Sequence, residues 1–346
     1  MPLQTPILRL IYVPGIYANS LRVGVVAAHF EGIASLVMCI GGKVMATWSA
    51  TGGIEGVEHY ATLDLSKITP GKYTLSATAI SKQGTSRTVE SPIWIGESPA
   101  NKEWTIVEDQ VIGEGWAGKE NRWQKTRHLL LRRCTITKPI KAGTLGGQII
   151  VLDGCEINGC GAWDTAKMWA GRYAVGCRSM GATNPFTRAD LAMRCIASEV
   201  SSDAFQGPRM VVDCLVTNVV RRDPKLHPDV VQWHEDGDTE NRVVLRLTAI
   251  ENINAMGIGG RGVKDILIRD CAIDNRGWDG AAFSLADPCS HVIVIGSTFA
   301  GSCLWRVDQG FVAEDVHCID SIFDGKPGPG AMLGKGQTAP TGVTIR

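Results

Sequence analysis

No single sign of charge dominates this 346-residue chain, in which Lys plus Arg and Asp plus Glu number 35 each. A chain without a basic field does not gather nucleic acid or an anionic membrane surface by bulk electrostatics, so neither is expected as a partner. Long apolar runs are missing too. No stretch reaches the roughly 18 apolar residues that a membrane span needs. The opening MPLQTPILRLIYVPGIYANS lacks the basic n-region, apolar stretch and small-residue cleavage site of an export signal. These absences predict neither anchor nor leader and leave the compartment open, with the extracellular space and a virion surface included. The 11 cysteines contain no C-x-x-C pair. An odd number of thiols, in a chain too large to need staples, points to reduced side chains rather than a disulfide framework or a zinc site.

What is present is a succession of short strand-like runs. Over residues 1–98 the segments LRVGVVAAHF, ASLVMCIGGKVMATWS, HYATLDLS, GKYTLSATAIS and SRTVESPIWIG alternate apolar and polar residues between Gly, Pro and Ser turn signals. That is the pattern of a β-sandwich. The hairpin TLDLSKITPGKYTLSATAISKQG resembles the later strands of immunoglobulin-like or fibronectin-type modules on bacterial and phage surface proteins. ESPANKEW, residues 97–104, reads as a linker, and residues 99–346 form the second predicted domain.

From Arg127 one phrase recurs: HLLLRRCTIT, QIIVLDGCEIN, DLAMRCIAS, MVVDCLVTN, VVLRLTAIEN, ILIRDCAIDN, HVIVIGSTFA and VHCIDSIFDG. Aligned on the small residue after a polar bend, the phrases give a column of Cys134, Cys155, Cys195, Cys214, Thr248, Cys271, Ser297 and Ser321. Two positions later comes an apolar column running from Ile136 through Ile250 to Phe323. Three positions earlier another runs from Leu131 through Leu245 to Cys318. The column spacings are 21, 40, 19, 34, 23, 26 and 24 residues. The 40 fits either two coils, with Cys177 as an extra rung, or one coil with a large loop. In-pointing residues alternate over three or four positions, break at a bend and resume, which excludes a helical repeat and describes two short strands meeting at a corner. Stacked about 4.8 Å apart, such coils bury a face that none can bury alone. The cysteines then fill a narrow interior corner.

These phrases resemble the pectate-lyase-like superfamily of right-handed parallel β-helix proteins, over about 200 residues. The expected fold is therefore all-β: an N-terminal β-sandwich followed by a right-handed parallel β-helix of about eight to nine coils. That superfamily contains lyases, hydrolases, epimerases and phage tailspikes, so the resemblance implies a fold before a reaction. It also implies three strands per coil, with substrate lying across the first. SSDAFQ, HPDVVQW, INAMGI, WDGAAFSL and LWRVDQG would be those strands.

Asp203, Asp229, Asn254 and Asp279 follow one another at intervals of 26, 25 and 25 residues and are expected to stack. Stacked carboxylates roughly 5 Å apart can raise one pKa, bind a divalent cation, or act as a retaining hydrolytic pair. A corner ladder of turn-forming residues gives the same spacing. His227 precedes Asp229 by two and shares its face in an extended segment, the arrangement of an acid/base couple or of a His capping a loop. Gln206 and Gln232 recur three residues after the two aspartates, and Trp233, His234 and Trp169 are candidates for sugar contacts or for loop packing. GAWDTAKMWAGRYAVG is expected to form the opposite wall of the groove. For β-elimination on a uronic-acid polymer, the resemblance implies a base, a carboxylate neutraliser and a proton donor, with Arg172, Tyr173, His227 and Asp229 as the cast. Hydrolysis would instead use Asp203 with Asp229.

The motifs that would name a reaction, an N-x-D, D-D, G-H-G and R-I-K set or an Arg-rich lyase signature, are absent from the sequence. DGDTE, Asp236 to Glu240, has the look of a Ca²⁺ loop without the twelve-residue spacing, so no cofactor is assigned and calcium stays open. The expected partner is a polysaccharide, engaged by a monomer or a trimer. The expected function is a polysaccharide lyase, with a noncatalytic adhesin or phage tail component and a glycoside hydrolase as alternatives.

Overall fold

The computed structural model describes residues 4–49, 53–54, 56–113, 127–142, 146–164, 169–221, 227–233, 240–276, 281–286, 289–305, 313–324 and 343–345. The chain divides into two compact units, Met1–Trp104 and Thr105–Arg346. Among the described residues the one helical element is a 3₁₀ turn, Pro99–Glu103, and no helix is long and apolar enough to cross a membrane.

The N-terminal unit holds two sheets. Ile7–Ile11, Ser20–Ala28 and Val57–Asp64 form one; Ile16–Tyr17, Ser86–Ile95, Gly71–Ser81, Ile33–Ile40 and Lys43–Ser49 form the other. Pairing is antiparallel except for Ile16–Tyr17, which runs parallel to Trp94 and Ile95. Alternation buries Leu75, Ala77 and Ala79 on one strand and Val23 and Val25 on another, and these join a single apolar cluster with Leu36, Met38 and Ile93.

The second unit is a parallel β-solenoid of about seven turns, fewer than the eight to nine expected. Among the described residues its sheets have eleven, ten and five strands. Counting corner phrases counts junctions between the two long sheets. Five described strands build the third, so several described junctions do not close a three-strand coil. The 40-residue interval is two rungs, because Trp169–Val175 and Arg178–Met180 pair on both sides and bring Cys177 into the corner column. One rung departs from the expected register. Val216 pairs with Ala249 and Ala249 with Ile273, so Val244, Leu247 and Ala249 occupy the three columns in place of Leu245, Thr248 and Ile250. Alignment on the small Thr248 was one residue late, and with a side-chain period of two, that slip turns the exposed Ile250 inward.

The corner between the two long sheets has a repeated solution. In nine successive rungs, from Asp109 to Gly296, the bend residue donates its N–H to a carbonyl of the following coil at 2.8–3.0 Å. Each of these residues has a φ between +50° and +61°. Two positions later, the residue after the corner donates back to the preceding coil at 2.7–2.9 Å. The corner residue between them needs an acceptor for its own N–H, and the side chain stacked above it supplies one. Cys195 N–H donates to Cys214 Sγ at 3.4 Å, Cys271 N–H to Ser297 Oγ at 3.1 Å, and Ser297 N–H to Ser321 Oγ at 3.2 Å. At these three rungs a small side chain with an acceptor atom completes the backbone bonding, a role that Leu247 in the same column does not take. Burial pushes the Cys271 thiol up to about 12 and raises Cys195 well above its ordinary value, so these groups stay protonated. The nine cysteines with described side chains are all unbridged.

Glycine suits the left-handed bend at Gly154, Gly176 and Gly296, whereas Arg133, Arg194 and Arg246 hold it at a cost of about 1–2 kcal/mol each. Arg133 and Arg246 are tied by ion pairs to the bend aspartates one coil away, Asp109 and Asp213. Arg194 is exposed, so Arg194→Gly is expected to raise the stability of the folded chain by about 0.5–1 kcal/mol. Denaturant unfolding at unchanged slope would measure it, and a loss of stability would refute the strain assigned to this bend.

Candidate functional site

The third sheet carries Asp229, Gln206, Gln232 and Trp233 among the sequence's candidate residues. Its described strands are Phe205–Gln206, Asp229–Trp233, Met256–Arg261, Ala281–Ala286 and Ser302–Trp305, so four of the five expected phrases contribute their last residues and LWRVDQG its first two. Phe205 pairs with Val231 and Gln206 with Gln232, which sets Asp203 against Asp229 one coil on. The expected stack of carboxylates is present. It does not extend further, since Asp229 pairs with Met256 rather than Asn254. Asp279 lies outside the described residues.

Both side chains are buried, Asp203 at 3% exposure and Asp229 at 0%. Alternation is not strict here: Val230, Val231 and Trp233, like Ala204 and Phe205 on the coil before, join the solenoid core, whereas Asp229 Oδ1 lies 4.0 Å from where a Cβ on Gly259, the partner of Gln232, would stand. The two carboxylates stack as expected and are covered. Backbone amides organise them there. Asp229 N–H donates to Asp203 Oδ1 at 3.0 Å, and Asp203 N–H donates to Asn184 Oδ1 at 2.9 Å. Burial pushes Asp203 up to about 7, the neighbouring Asp229 carboxylate adds repulsion, and the Asp229 N–H bond offsets part of the rise. His227 is the accessible member: its side chain is 51% exposed, and Nδ1 stands 3.4 Å from Asp229 Oδ1. A half-exposed imidazole backed by a buried carboxylate is an arrangement that can hold and pass a proton.

The remaining candidates divide. Gln206 and Gln232 stack half-buried on the outer face of the same strands. Trp233 is 2% exposed and donates its indole N–H to the Pro208 carbonyl at 3.0 Å, so it packs the core and offers no sugar platform. His234 and the segment 236–239 of the calcium reading lie outside the described residues. Arg172, Tyr173 and Trp169 belong to Trp169–Val175 in the eleven-stranded sheet. That segment is a rung of the solenoid rather than a loop wall, and it does not join Arg172 and Tyr173 to His227 and Asp229. Trp169 is buried, with its indole N–H on Asp164 at 2.8 Å. Among the described residues no group of three or more His, Cys, Asp or Glu is placed to hold a metal ion.

Two polar constellations were not anticipated. His291 Nδ1 lies 2.7 Å from Asp265 Oδ1, with both side chains buried and both backbones left-handed. Asp265 and His291 each stand three residues before the inner apolar column, at Ile268 and Val294, so columnwise comparison of phrases would have exposed them. The second is a set of arginines at Arg172, Arg188 and Arg209, hidden because it precedes the phrases on which the repeat was aligned. A depression of about 630 Å³ lined by Lys72, Tyr73 and Glu90 among others lies in the N-terminal unit and shares no residue with these groups. No family model, curated protein or solved structure matches the chain.

The raised Asp203 makes a signed prediction. An unfolded aspartate titrates near 3.9, so the contribution of Asp203 is fully present below about pH 4 and is lost as pH rises through about 7. Asp203→Asn keeps the acceptor for Asp229 N–H and removes the charge. The variant's thermal midpoint should match wild type near pH 4.5 and exceed it by a few degrees at pH 8. A difference that does not change with pH would sink this assignment.

Proposed function

We propose that the chain is a carbohydrate-active protein of the pectate-lyase-like β-helix kind, a polysaccharide lyase acting on an acidic polymer with His227 as its base. The observation that carries this reading is the His227–Asp229 couple: an exposed imidazole 3.4 Å from a fully buried carboxylate, at the entry of the strand Asp229–Trp233. In β-elimination the base takes the C5 proton, the C4–O bond breaks with formation of the C4–C5 double bond, and the leaving oxygen is protonated. Asp229 orients the imidazole and stabilises its protonated form, and Asp203 supports Asp229 through its backbone N–H. Gln206 and Gln232 supply hydrogen bonds to sugar hydroxyls from the outer face. The N-terminal unit, read as an immunoglobulin-like sandwich, serves as a spacer or an accessory glycan contact.

Burial separates the alternatives. Paired hydrolytic carboxylates must flank a glycosidic bond, and side chains 3% and 0% exposed are poorly placed to do so. The same burial favours, as the second reading, a noncatalytic glycan-binding adhesin or phage tail component in which Asp203 and Asp229 are structural.

Incubation with a panel of uronic-acid polymers should produce the ultraviolet absorbance of an unsaturated uronide, and His227→Ala should lower its rate by about 10²–10⁴-fold with the fold intact. A flat trace with every acidic polymer removes the lyase reading. A trimer on sizing, with glycan binding unchanged by Asp203→Ala and Asp229→Ala, would establish the second.

A further inference from the structure

We propose that the depression in the N-terminal unit, with Lys72 at one end and Glu90 at the other, is a binding site for a segment of acidic glycan. The acidic glycan is taken from the carbohydrate reading above, but the site shares no residue with His227 and its neighbours.

The concavity follows from the strand pattern. Along Gly71–Ser81, Leu75, Ala77 and Ala79 join the core, so Lys72, Thr74 and Ser76 belong to the outer face, opposite Trp94, Pro92 and Glu90 of the neighbouring strand. The floor is low where Thr74 meets Pro92, because one side chain is small and the other is a ring closed on its own backbone. Pro92 costs the sheet little at this point, since the far side of its strand pairs with Ile16–Tyr17 at Trp94 and Ile95 and not beyond. The rim is the hairpin tip at Gly41 and Gly42, with φ of +55° and +80°. Gly41 N–H donates to the Thr74 carbonyl at 2.9 Å, and a side chain on Gly41 would strike the Tyr73 ring. No atom lies within 4 Å of where a Gly42 side chain would begin, so the rim stays open. The space so formed is about 630 Å³, inside the roughly 300–1,000 Å³ of ligand clefts.

Its polar groups are not spent on one another. One pair further along the same two strands, Thr78 and Thr88 close together, Oγ1 to Oγ1 at 2.8 Å. Ser76 and Glu90 do not, and among the described residues neither they nor Thr74 makes a side-chain hydrogen bond or ion pair. Lys72 is held instead: its Nζ donates to Glu103 at 2.8 Å and stands 4.9 Å from the centre of the buried Trp94 ring. Part of the ordering cost of a long side chain is thus met before a ligand arrives, and the ion pair uses one of the three donors of an ammonium.

The order of these groups specifies the ligand. An ammonium comes first, then a hydroxyl beside a proline ring, then a hydroxyl beside a carboxylate, over four residues of strand or about 13 Å, more than one sugar ring. A uronic-acid segment has the matching order, with a carboxylate for Lys72, the apolar C–H face of a ring for Pro92, and hydroxyls that donate to Glu90 and exchange hydrogen bonds with Thr74 and Ser76. A ligand anionic throughout meets repulsion at Glu90, and a neutral one leaves Lys72 unused.

Heteronuclear NMR titration tests this on the full chain carrying His227→Ala, which keeps an acidic probe whole. Trigalacturonate should shift the amides of Lys72, Thr74, Ser76 and Glu90 saturably, and maltotriose should bind there about fivefold more weakly or worse. Lys72→Met, which keeps a stem over Trp94, and Glu90→Ala should each weaken trigalacturonate about tenfold. Lys82→Met, at an exposed lysine in the turn at the opposite end of the same strand pair, should leave it unchanged. No saturable shift at these amides, equal binding of maltotriose, or an equal loss in Lys82→Met overturns the proposal. Tighter binding of trilysine than of trigalacturonate assigns the depression to a basic peptide and overturns the glycan. Saturable shifts here without an unsaturated product from the wild-type chain would leave this site standing and remove only the lyase reading, and product without shifts would do the reverse.

Discussion

Hydrogen bonding between successive coils is the constraint on which the second unit depends. Parallel stacking places every strand residue on a counterpart from the coil before and the coil after, so a side chain is never accommodated alone but as a member of a column. The corner shows the consequence most directly. The left-handed bend hands one N–H forward, the residue two positions later hands one back, and the thiol or hydroxyl between them takes the N–H that neither strand accepts. Cysteine, which has the look of chemistry when counted, is here a small corner residue whose thiol donates to backbone carbonyls and, at Cys214, also accepts an N–H.

The same constraint acts on charge. Like carboxylates meet when Asp203 and Asp229 stack, and the fold answers with one amide donor, the Asp229 N–H on Asp203 Oδ1, while burial and the neighbouring carboxylate push Asp203 up to about 7. His227 stands against this pair, with an imidazole that reaches solvent while its carboxylate partner does not. On the neighbouring sheet, Arg172, Asp190 and Arg209 alternate in sign before the run ends on Arg242, and an ion pair between Asp190 and Arg209 links two of its rungs.

Much of this was legible before any coordinates. Columns of small and apolar residues located the corner, the two long sheets and the strands of the third, because a coil has to present the same kind of side chain at the same place each time. Where the reading slipped, the cause was local. Leu247 fills a corner held elsewhere by Cys or Ser, so alignment on the nearest small residue landed on Thr248. The spacing of Asp203 and Asp229 established that they stack but not how far they are covered, and Trp233, a candidate for sugar contact or packing, packs in the core. The set of arginines escaped because it draws on two rungs and a bend separated by irregular lengths of chain.

The outer bend of the solenoid has a bearing on how such a chain can change length. Its residues read Arg194, Asp213, Arg246 and Asp270 on consecutive rungs before glycine intervenes at Gly296. Deleting either inner coil of that run, the one with Asp213 or the one with Arg246, would set arginine on arginine or aspartate on aspartate at a backbone already held in a costly conformation. Removing two coils, or cutting beside a glycine bend such as Gly154 or Gly176, would leave neighbours of opposite sign or none. Gain and loss of coils through duplication is thus channelled toward the glycine bends and toward even numbers, and the charged bend works as a parity check on the length of the repeat.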